Sequence, residues 1–231
     1  MKAYAIIIDG NDISETGYKT LVNSSNQVNN DFEIIRYNAI TAKNVESCME
    51  QSGIKWNYPW EGQVTDFSTG LVKTAYTTAN PLKRMACAMS HFYLWQMSLE
   101  KNEPLLILEH DSVFTNKIDF DIIDTRFKVL GVNNPLGATR RARLYHDKIQ
   151  SNNDLYQQVP YIDDDIKVPQ GLAGNSAYIV TPHGAKALIN KVFEVGLWPN
   201  DAIMCRQLFS FLGVTKKYYT GIQMLQSTTT L

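Results

Sequence analysis

The sequence predicts an α/β protein whose central sheet is mainly parallel. Short apolar runs alternate along the 231 residues with segments of helical periodicity, and this alternation is typical of strand–helix–strand units. The apolar runs have the length of strands buried inside a sheet. The length and the 44% hydrophobic content are those of a globular chain with a substantial core, and we expect a single domain over residues 1–231.

The first third of the chain supplies the alternation. Buried strands are predicted at 3–9 and 32–40, separated by a weak helix for which Ser14 is the expected N-cap. A short helix at 44–53 has apolar residues at i, i+3 and i+4 and ends in a glycine. Residues 56–80 show no clear period, and ordered loops of that length tend to be functional.

The clearest helix is predicted at 81–99, where Asn80 is the expected N-cap and Pro81 occupies the first helical position. Another helix is expected to begin after Thr181, which caps it, and to end at Gly196. Further strands are predicted at 104–109, 127–132, 176–182 and 216–222, and a late helix at 199–213. Residues 133–170 are polar and irregular.

Composition limits the classes of function. The net charge of −1 excludes a molecule that binds nucleic acid through its overall charge, although a local basic patch remains open. The three cysteines have no framework spacing, which suggests reduced thiols in a cytosol-like compartment. The first apolar run is too short for a signal peptide, and no window has the length of a membrane helix. We therefore expect a soluble, cytoplasmic protein.

Two carboxylates stand at the end of a buried strand in "PLLILEHDSVF", residues 104–114. In α/β sheets, ligands bind beyond the carboxyl ends of the strands, where Glu109 and Asp111 fall. Carboxylate oxygens suit Mg²⁺ or Mn²⁺, which complete their coordination with water and substrate phosphates. The alternative is that Asp111 caps a turn and Glu109 lies at a solvated edge.

Other acidic clusters are weaker candidates. Asp119 and Asp121 form a D-x-D sequence, but it follows no buried strand and resembles a loop entering a short helix. The aspartates at 9 and 12 are three apart, whereas phosphatases with an aspartyl nucleophile have theirs two apart, so a turn is the better interpretation. The acidic run at 163–165 is interpreted as a solvated turn. The common glycine-rich phosphate loops are absent from the sequence.

A basic run occupies residues 139–148 and has two interpretations. One is a solvated helix face. The other is an arm that contacts the phosphates of a substrate or of a nucleic acid. The residues concerned are Arg140, Arg141, Arg143 and Lys148. His91, a single helical histidine, is more often a structural residue than a ligand.

Taken together, four segments resemble glycosyltransferase family 25, which includes lipooligosaccharide sugar transferases. They are "RMACAMSHFYLWQ" (84–96), "LLILEHDSVF" (105–114), "GNSAYIVTPHGAKALI" (174–189) and "WPNDAIMCRQLF" (198–209). Their order and gaps agree with the family over roughly residues 80–230. Lys83 and Arg84 replace the family's Gly-Glu, His110 replaces the middle acid of Glu-Asp-Asp, and the Asp-Arg segment after the first strand is missing. These variants look most like the short members carried by tailed phages.

The resemblance implies a nucleotide-sugar-binding fold of the GT-A type and a divalent ion, Mn²⁺ or Mg²⁺. In the family pattern Asp111 is a metal ligand, and Glu109 is a second ligand or holds the ribose of a donor, which is expected to be UDP-linked. Asp201, at the start of the late helix, is the expected catalytic base, and the helix dipole should keep its pKa low. The remaining donor-binding residues are expected to be Arg84, Ser90, His91 and Asn175; Arg84 meets the diphosphate or is simply a surface residue.

The resemblance leaves the acceptor open. A phage-borne member would act on hydroxymethylcytosine in the phage's own DNA, in the host cytoplasm, and the basic run at 139–148 would contact that DNA. This acceptor is slightly favoured. The alternatives are a lipopolysaccharide or other glycan acceptor, and a protein of the same fold that binds a partner without catalysis.

Overall fold

The computed structural model describes residues 1–138, 141–162 and 167–228. The strands are β1 (Lys2–Ile7), β2 (Ile34–Asn38), β3 (Gln63–Asp66), β4 (Leu71–Thr74), β5 (Leu105–Glu109), β6 (Ser112–Phe114), β7 (Val129–Gly131), β8 (Tyr156–Gln158), β9 (Ala177–Val180), β10 (Leu212–Thr215) and β11 (Thr220–Ile222). The helices are α1 (Asp12–Gln27), α2 (Val45–Gln51), α3 (Pro81–Lys101), α4 (Ala142–Ser151), α5 (Pro182–Val195) and α6 (Asn200–Ile203), with a short 3₁₀ helix at Ile122–Asp124.

Seven strands form one sheet in the order β2-β1-β5-β9-β7-β10-β8. β2, β1 and β5 are parallel, β9 runs against both of its neighbours, β7 and β10 are parallel, and β8 runs against β10. Most strands therefore point the same way, and the predicted α/β architecture with a mainly parallel sheet is confirmed. Two small antiparallel sheets, β3–β4 and β6–β11, lie beside it.

The central strand β5 is buried on both faces, which explains its unbroken apolar sequence. Leu105 and Ile107 face a core that contains residues of α2, α3 and α5. Leu106 and Leu108 face the opposite core, which contains residues of α1 and β6. The sheet is thus covered on both sides, and the side chain of Glu109 emerges only where the covered part of the strand ends.

Three helix caps show how far local chemistry sets the element bounds. Asn80 accepts a hydrogen bond from the backbone N–H of Leu82, and Thr181 accepts one from that of Gly184, as the sequence predicts. The N-cap of α1 is Asn11 rather than Ser14. Ser14 is fully buried, and its hydroxyl accepts from the backbone N–H of Ile8, so the expectation for Ser14 was wrong.

The predicted late helix at 199–213 is also wrong. It ends after α6 because the backbone N–H of Arg206 bonds to the carbonyl of Gln170, and the chain then enters β10. Gly213 is a strand residue whose Cβ position is occupied by the ring of Phe127, not a helix terminus. The two regions expected to be irregular contain the β3–β4 hairpin and, further along, α4 and β8.

The strand directions place the candidate residues at one edge. Because β9 is antiparallel to β5, the residues that precede β9 lie beside the carboxyl end of β5. The backbone N–H of Glu109 bonds to the carbonyl of Ser176 at 2.7 Å, which brings Asn175 next to the acidic turn. In the described part of the chain, no helix combines the length and the apolar character needed to cross a membrane.

Candidate active site

The acidic turn Glu109-His110-Asp111 connects β5 to β6, and Gln223 forms hydrogen bonds with its backbone. The backbone N–H of Gln223 donates to the carbonyl of Asp111 at 2.8 Å. Its side-chain amide nitrogen lies 3.1 Å from the carbonyl oxygen of His110 and 2.7 Å from that of Ser112. The backbone that presents the two acids is therefore fixed on both sides of the turn.

A chain of buried hydrogen bonds orients Glu109. Trp95 Nε1 donates to the Tyr178 hydroxyl at 2.8 Å, which lies 2.9 Å from Nδ1 of His91. Nε2 of His91 lies 3.1 Å from Oε1 of Glu109. Because the tyrosine hydroxyl accepts from Trp95, its proton is available for Nδ1, and the imidazole then donates from Nε2 to Glu109. His91, expected from its residue type to be structural and from the family resemblance to bind the donor, is fully buried and reaches the site through Glu109.

The pKa values of Glu109 and Asp111 are shifted in opposite directions. Burial by itself would raise the pKa of Glu109, but the hydrogen bond and charge of His91, with smaller effects of His110 and Arg84, lower it. Burial, followed by the charge of Glu109, raises the pKa of Asp111 to about 7. Burial lowers the pKa of His110 against the opposing effect of Glu109. At neutral pH the turn therefore presents an ionised Glu109 and an Asp111 that is close to half ionised, and a bound cation would favour the ionised form of Asp111.

Asp201 lies in the same cavity as Glu109, and its pKa differs from the sequence expectation. The pKa is raised, first by burial and also by the charge of Glu109, although Arg84 and a hydrogen bond from Tyr76 oppose the shift. The expected lowering by a helix dipole was wrong because α6 is a single turn and too short for a substantial dipole. A raised pKa makes Asp201 a stronger base than the sequence suggested.

Arg84 lies in the cavity wall and is not simply a surface residue. Its guanidinium lies 5.0 Å from the ring centroid of Tyr76, and its Nε is buried without a hydrogen-bond partner among the described residues. Its charge lowers the pKa of both Glu109 and Asp201. Arg84 is thus a cation near Glu109 and Asp201, and its Nε–H can donate a hydrogen bond to a ligand.

Two cavities meet at the acidic turn. The larger, of about 860 Å³, is lined by Arg84, Asp111, Asn175 and Asp201 among others. The smaller, of about 580 Å³, lies at the carboxyl ends of β1 and β2. Both are bordered by Cys87, Glu109, His110 and the segment 226–228. The site can therefore accept a ligand in two parts joined at Glu109.

Asn175 is the clearest unsatisfied group in the larger cavity. It is only 8% exposed, yet neither its side-chain oxygen nor its side-chain nitrogen has a hydrogen-bond partner among the described residues. Buried amides without partners are uncommon because they lose the free energy of hydration. This side chain has both a donor and an acceptor for a bound molecule.

Ser90 and the basic run occupy different surroundings. The buried hydroxyl of Ser90 donates to the carbonyl of Ala86 and accepts from the backbone N–H of Ile40, so it ties α3 to the segment after β2. Arg141 lines the larger cavity, whereas Arg143 and Lys148 are exposed on α4. Arg140 lies outside the described residues.

The acidic residues of the weaker candidate clusters make contacts outside the acidic turn. Asp119 pairs with Lys217 at 2.6 Å and accepts a hydrogen bond from Tyr219. Asp121 caps the 3₁₀ helix. Asp9 pairs with Arg36 and is exposed. The acidic run at 163–165 lies outside the described residues.

The residues of the turn fit a divalent cation. Oδ1 of Asp111 is buried without a hydrogen-bond partner among the described residues, which is costly for a carboxylate that no cation neutralises. Together with Glu109 it offers the oxygen ligands that Mg²⁺ and Mn²⁺ prefer.

The comparison with protein families assigns the chain. The model described as "Glycosyltransferase family 25 (LPS biosynthesis protein)" matches residues 19–204, well over half of the chain. The chain belongs to glycosyltransferase family 25. It is therefore a glycosyltransferase, as the four sequence segments predicted, and the match extends upstream of those segments into α1. No curated protein sequence matches this glycosyltransferase.

Several solved glycosyltransferase structures are similar to the family 25 chain in outline. The galactosyltransferase LgtC, solved with donor and acceptor sugar analogues, is 8% identical, and the match covers 93% of this chain and 73% of LgtC with a TM-score of 0.43. Mouse xyloside xylosyltransferase 1 is 8% identical, and the match covers 90% of this chain and 80% of the mouse protein with a TM-score of 0.39. GlyE of Streptococcus pneumoniae TIGR4 is 10% identical, and the match covers 92% of this chain and 44% of GlyE with a TM-score of 0.41.

Several residues of the glycosyltransferase site were not predicted. Tyr58 and Tyr76 line the larger cavity from the segment 56–80, which the sequence marked as functional only through its length. Gln223 carried no signal, because its partner His110 is distant in sequence, and Cys87 was noted only as part of the segment 84–96 that resembles the family.

Proposed function

We propose that the chain transfers a sugar from a nucleoside-diphosphate sugar, expected to be UDP-linked, to an acceptor hydroxyl, within one GT-A-type domain spanning 1–231. The observation that carries the proposal is the meeting of two cavities at a turn that holds an ionised Glu109 and an unpartnered Asp111 oxygen. A donor of this class has a nucleoside and a sugar joined by a diphosphate. The two cavities match the nucleoside and the sugar, and the acidic turn between them matches the diphosphate.

The smaller cavity is the proposed site of the nucleoside. It lies beyond the carboxyl ends of β1 and β2, where α/β sheets bind nucleotides. The diphosphate then reaches the acidic turn, and the sugar enters the larger cavity beside Asn175. The free donor and acceptor atoms of Asn175 suit a sugar hydroxyl, which both donates and accepts hydrogen bonds.

Asp111 and Glu109 would hold the Mn²⁺ or Mg²⁺. When bound, the cation would neutralise the negative charge that develops on the departing diphosphate. His91 keeps Glu109 oriented and ionised for this role, and Arg84 adds a fixed positive charge on the side of the larger cavity. Gln223 holds the turn in place through the backbone.

Asp201 is the proposed general base. Its carboxylate faces the larger cavity and would take the proton of the acceptor hydroxyl as the oxygen attacks the sugar. Burial raises its pKa, which increases its basicity, and the charge of the nearby Arg84 opposes that shift. Tyr76, within the same network, orients the carboxyl group.

A glycan hydroxyl is the acceptor that the larger cavity supports best. Its lining includes tyrosines and neutral polar side chains such as Tyr58, Tyr145 and Gln63, with acids at its floor, and this mixture suits an uncharged polar ligand. A duplex backbone would instead meet the acidic turn.

Hydroxymethylcytosine in DNA is a second candidate acceptor, with a specific observation in its favour. Arg141 borders the cavity, and Arg143 and Lys148 are exposed on the adjoining α4, so DNA phosphates could lie outside while one base enters. A DNA acceptor of this kind implies a phage-encoded protein that acts in the cytoplasm of the host cell. The three unpaired cysteines favour the cytoplasm for either acceptor.

The test combines purified protein with Mn²⁺, a panel of nucleotide sugars, and either lipooligosaccharide-type glycans or hydroxymethylated DNA. We expect one donor to be consumed and the mass of its sugar to appear on the glycan. The same mass on nucleosides from the digested DNA would establish the second candidate instead. Turnover of no donor in the panel, in protein that is folded, would contradict the proposed donor class.

A further inference from the structure

Cys87 is a thiol at the junction of the two cavities that the proposed transfer does not use. It is half-buried and lies one helical turn before His91 on α3, so the two side chains share a face of the helix. Its sulfur is 3.8 Å from Oδ1 of Asn200, which is at most a weak hydrogen bond.

The thiol lies close to two other metal-binding groups. The sulfur of Cys87, a ring nitrogen of His91 and a carboxylate oxygen of Glu109 all lie within 4.8 Å of one another. Ligand atoms around a tetrahedral Zn²⁺ are separated by about 3.5 Å, given bonds of about 2.0–2.3 Å. Nε2 of His91 and Oε1 of Glu109, 3.1 Å apart, are already within that separation, so only the sulfur of Cys87 has to approach them, through a side-chain rotation that moves it by about 1 Å.

The surroundings of His91 also suit a metal ligand. A ligating imidazole usually donates its second N–H to a fixed acceptor, which sets the tautomer. The Tyr178 oxygen lies 2.9 Å from Nδ1 and already accepts from Trp95, and a hydroxyl oxygen can accept two hydrogen bonds. Metal binding requires the tautomer opposite to the one in which Nε2 donates to Glu109: with Nδ1–H directed at Tyr178, the lone pair of Nε2, 3.1 Å from Oε1 of Glu109, becomes available to a cation.

We propose that Cys87, His91 and Glu109 form a Zn²⁺ site, with its fourth position open to water from the cavities. Thiolate and imidazole are softer ligands than carboxylate, so this set selects Zn²⁺ over the Mg²⁺ or Mn²⁺ expected at the acid pair. Binding releases the thiol proton of Cys87 to solvent.

The site goes beyond the proposed transfer, because its ligands and its binding test require no nucleotide sugar. One consequence does rest on the proposed function. Glu109 belongs to both sets of ligands, so a Zn²⁺ ion bound here would take a carboxylate away from the cation that binds the diphosphate.

The test uses Co²⁺ as a spectroscopic substitute for Zn²⁺ on the reduced, full-length protein. We expect about one equivalent of Co²⁺ to give a thiolate-to-cobalt charge-transfer absorption that Zn²⁺ abolishes. Cys87→Ser should lose the absorption, and Cys48→Ser, a free thiol elsewhere, should retain it. Tyr178→Phe should weaken Co²⁺ binding about 10–100-fold, the usual effect of removing an outer-shell partner.

Absence of the absorption in the wild-type protein, or its persistence in Cys87→Ser, would overturn the proposal. A second measurement covers the case in which Cys87→Ser does not fold. In the wild-type protein, Zn²⁺ should slow alkylation of Cys87 at least tenfold relative to Cys48 in the same molecule, as read by peptide mass. Equal alkylation of Cys87 with and without Zn²⁺ would also overturn it.

Discussion

Gln223 holds the carbonyl of His110 at 3.1 Å, although 113 residues separate the two positions in sequence. The same amide nitrogen lies 2.9 Å from the carbonyl oxygen of Gly17 on α1. A Cβ at position 17 would lie 2.5 Å from the His110 oxygen, so the glycine allows α1 to approach the turn. Gln223, directly after the last strand, and the first helix therefore fix the backbone that presents the two acids.

Replacing Gln223 with alanine should loosen the acidic turn. We expect the kcat/KM for metal-dependent hydrolysis of the nucleotide sugar to fall about 10–100-fold, as for other partners that orient metal ligands. The free energy of unfolding should fall by about 1–3 kcal/mol because buried carbonyls lose their donor. Gln158→Ala, which removes a glutamine side chain bonded to the Ser210 carbonyl far from the turn, is the control. Equal losses of activity in the two variants would contradict the positioning role.

Asp201→Asn should abolish most of the transfer without unfolding the protein. Loss of a general base typically costs about 10²–10⁴-fold, and we expect that loss in kcat with little change in the donor KM. Burial raises the pKa of Asp201, and a base acts only when ionised, so wild-type kcat should fall with decreasing pH at a higher pH than for an ordinary aspartate. Steady-state kinetics across pH measures both effects.

The control for Asp201 is Asp147→Asn, which changes an exposed aspartate on α4. It should leave kcat within about twofold of the wild type, as expected for a surface substitution outside the site. An Asp201→Asn variant that keeps the wild-type kcat and its pH profile would exclude Asp201 as the base.

Asp111→Asn should remove the dependence on Mn²⁺ or Mg²⁺ together with the turnover. Burial and Glu109 raise the pKa of Asp111 to about 7, so the fold disfavours its ionised form. The carboxyl therefore lowers the stability of the metal-free protein at high pH. This effect declines as the pH falls below about 7 and is gone only below the ordinary pKa of an aspartate. The asparagine variant should be at least as stable as the wild type above pH 7, as measured by thermal unfolding with a chelator present.

Asp119→Asn is the matched control for Asp111 because it changes the D-x-D aspartate that pairs with Lys217. It should retain metal-dependent turnover. Retention of full turnover by Asp111→Asn would exclude this aspartate as the metal ligand, and loss of turnover in Asp119→Asn alone would assign the cation to the D-x-D segment.

The buried ion pair between Lys73 and Asp66, 2.9 Å apart, should be important for stability. Burial by itself would raise the pKa of Asp66, but hydrogen bonds from Ser68 and Lys73 outweigh it and lower the pKa. The pair therefore stabilises the fold above the ordinary pKa of the carboxyl, and this contribution is lost as the pH falls through the lowered pKa. Lys73→Met should cost about 3–5 kcal/mol at pH 7.

The stability deficit of Lys73→Met should shrink with decreasing pH, because the unpaired Asp66 then becomes protonated. Urea unfolding at pH 7 and pH 4 measures the difference. Lys191→Met, which breaks an exposed pair with Glu194, should change the free energy of unfolding by less than about 1 kcal/mol. A deficit that stays constant with pH would show that lost packing against Trp198, rather than the ion pair, is responsible.

Local signals predicted the elements that local chemistry controls. The α3 helix follows from its Asn80 cap and Pro81, and β5 from an apolar run that both cores require. Where long-range backbone bonds compete, the predictions failed, as in the late helix that ends when Arg206 bonds to Gln170. Hydrogen bonds to a distant segment leave no periodic pattern in the sequence.

For the site, the sequence by itself determined the acidic pair at the end of β5, the family and the candidate base, because each lies in a contiguous motif. The tertiary structure alone decided the electrostatic state of these groups. Asp111 and Asp201 have raised pKa values because folding buries them beside Glu109. The positions of His91 and Gln223 around the turn likewise depend on the packing of elements that are remote in sequence.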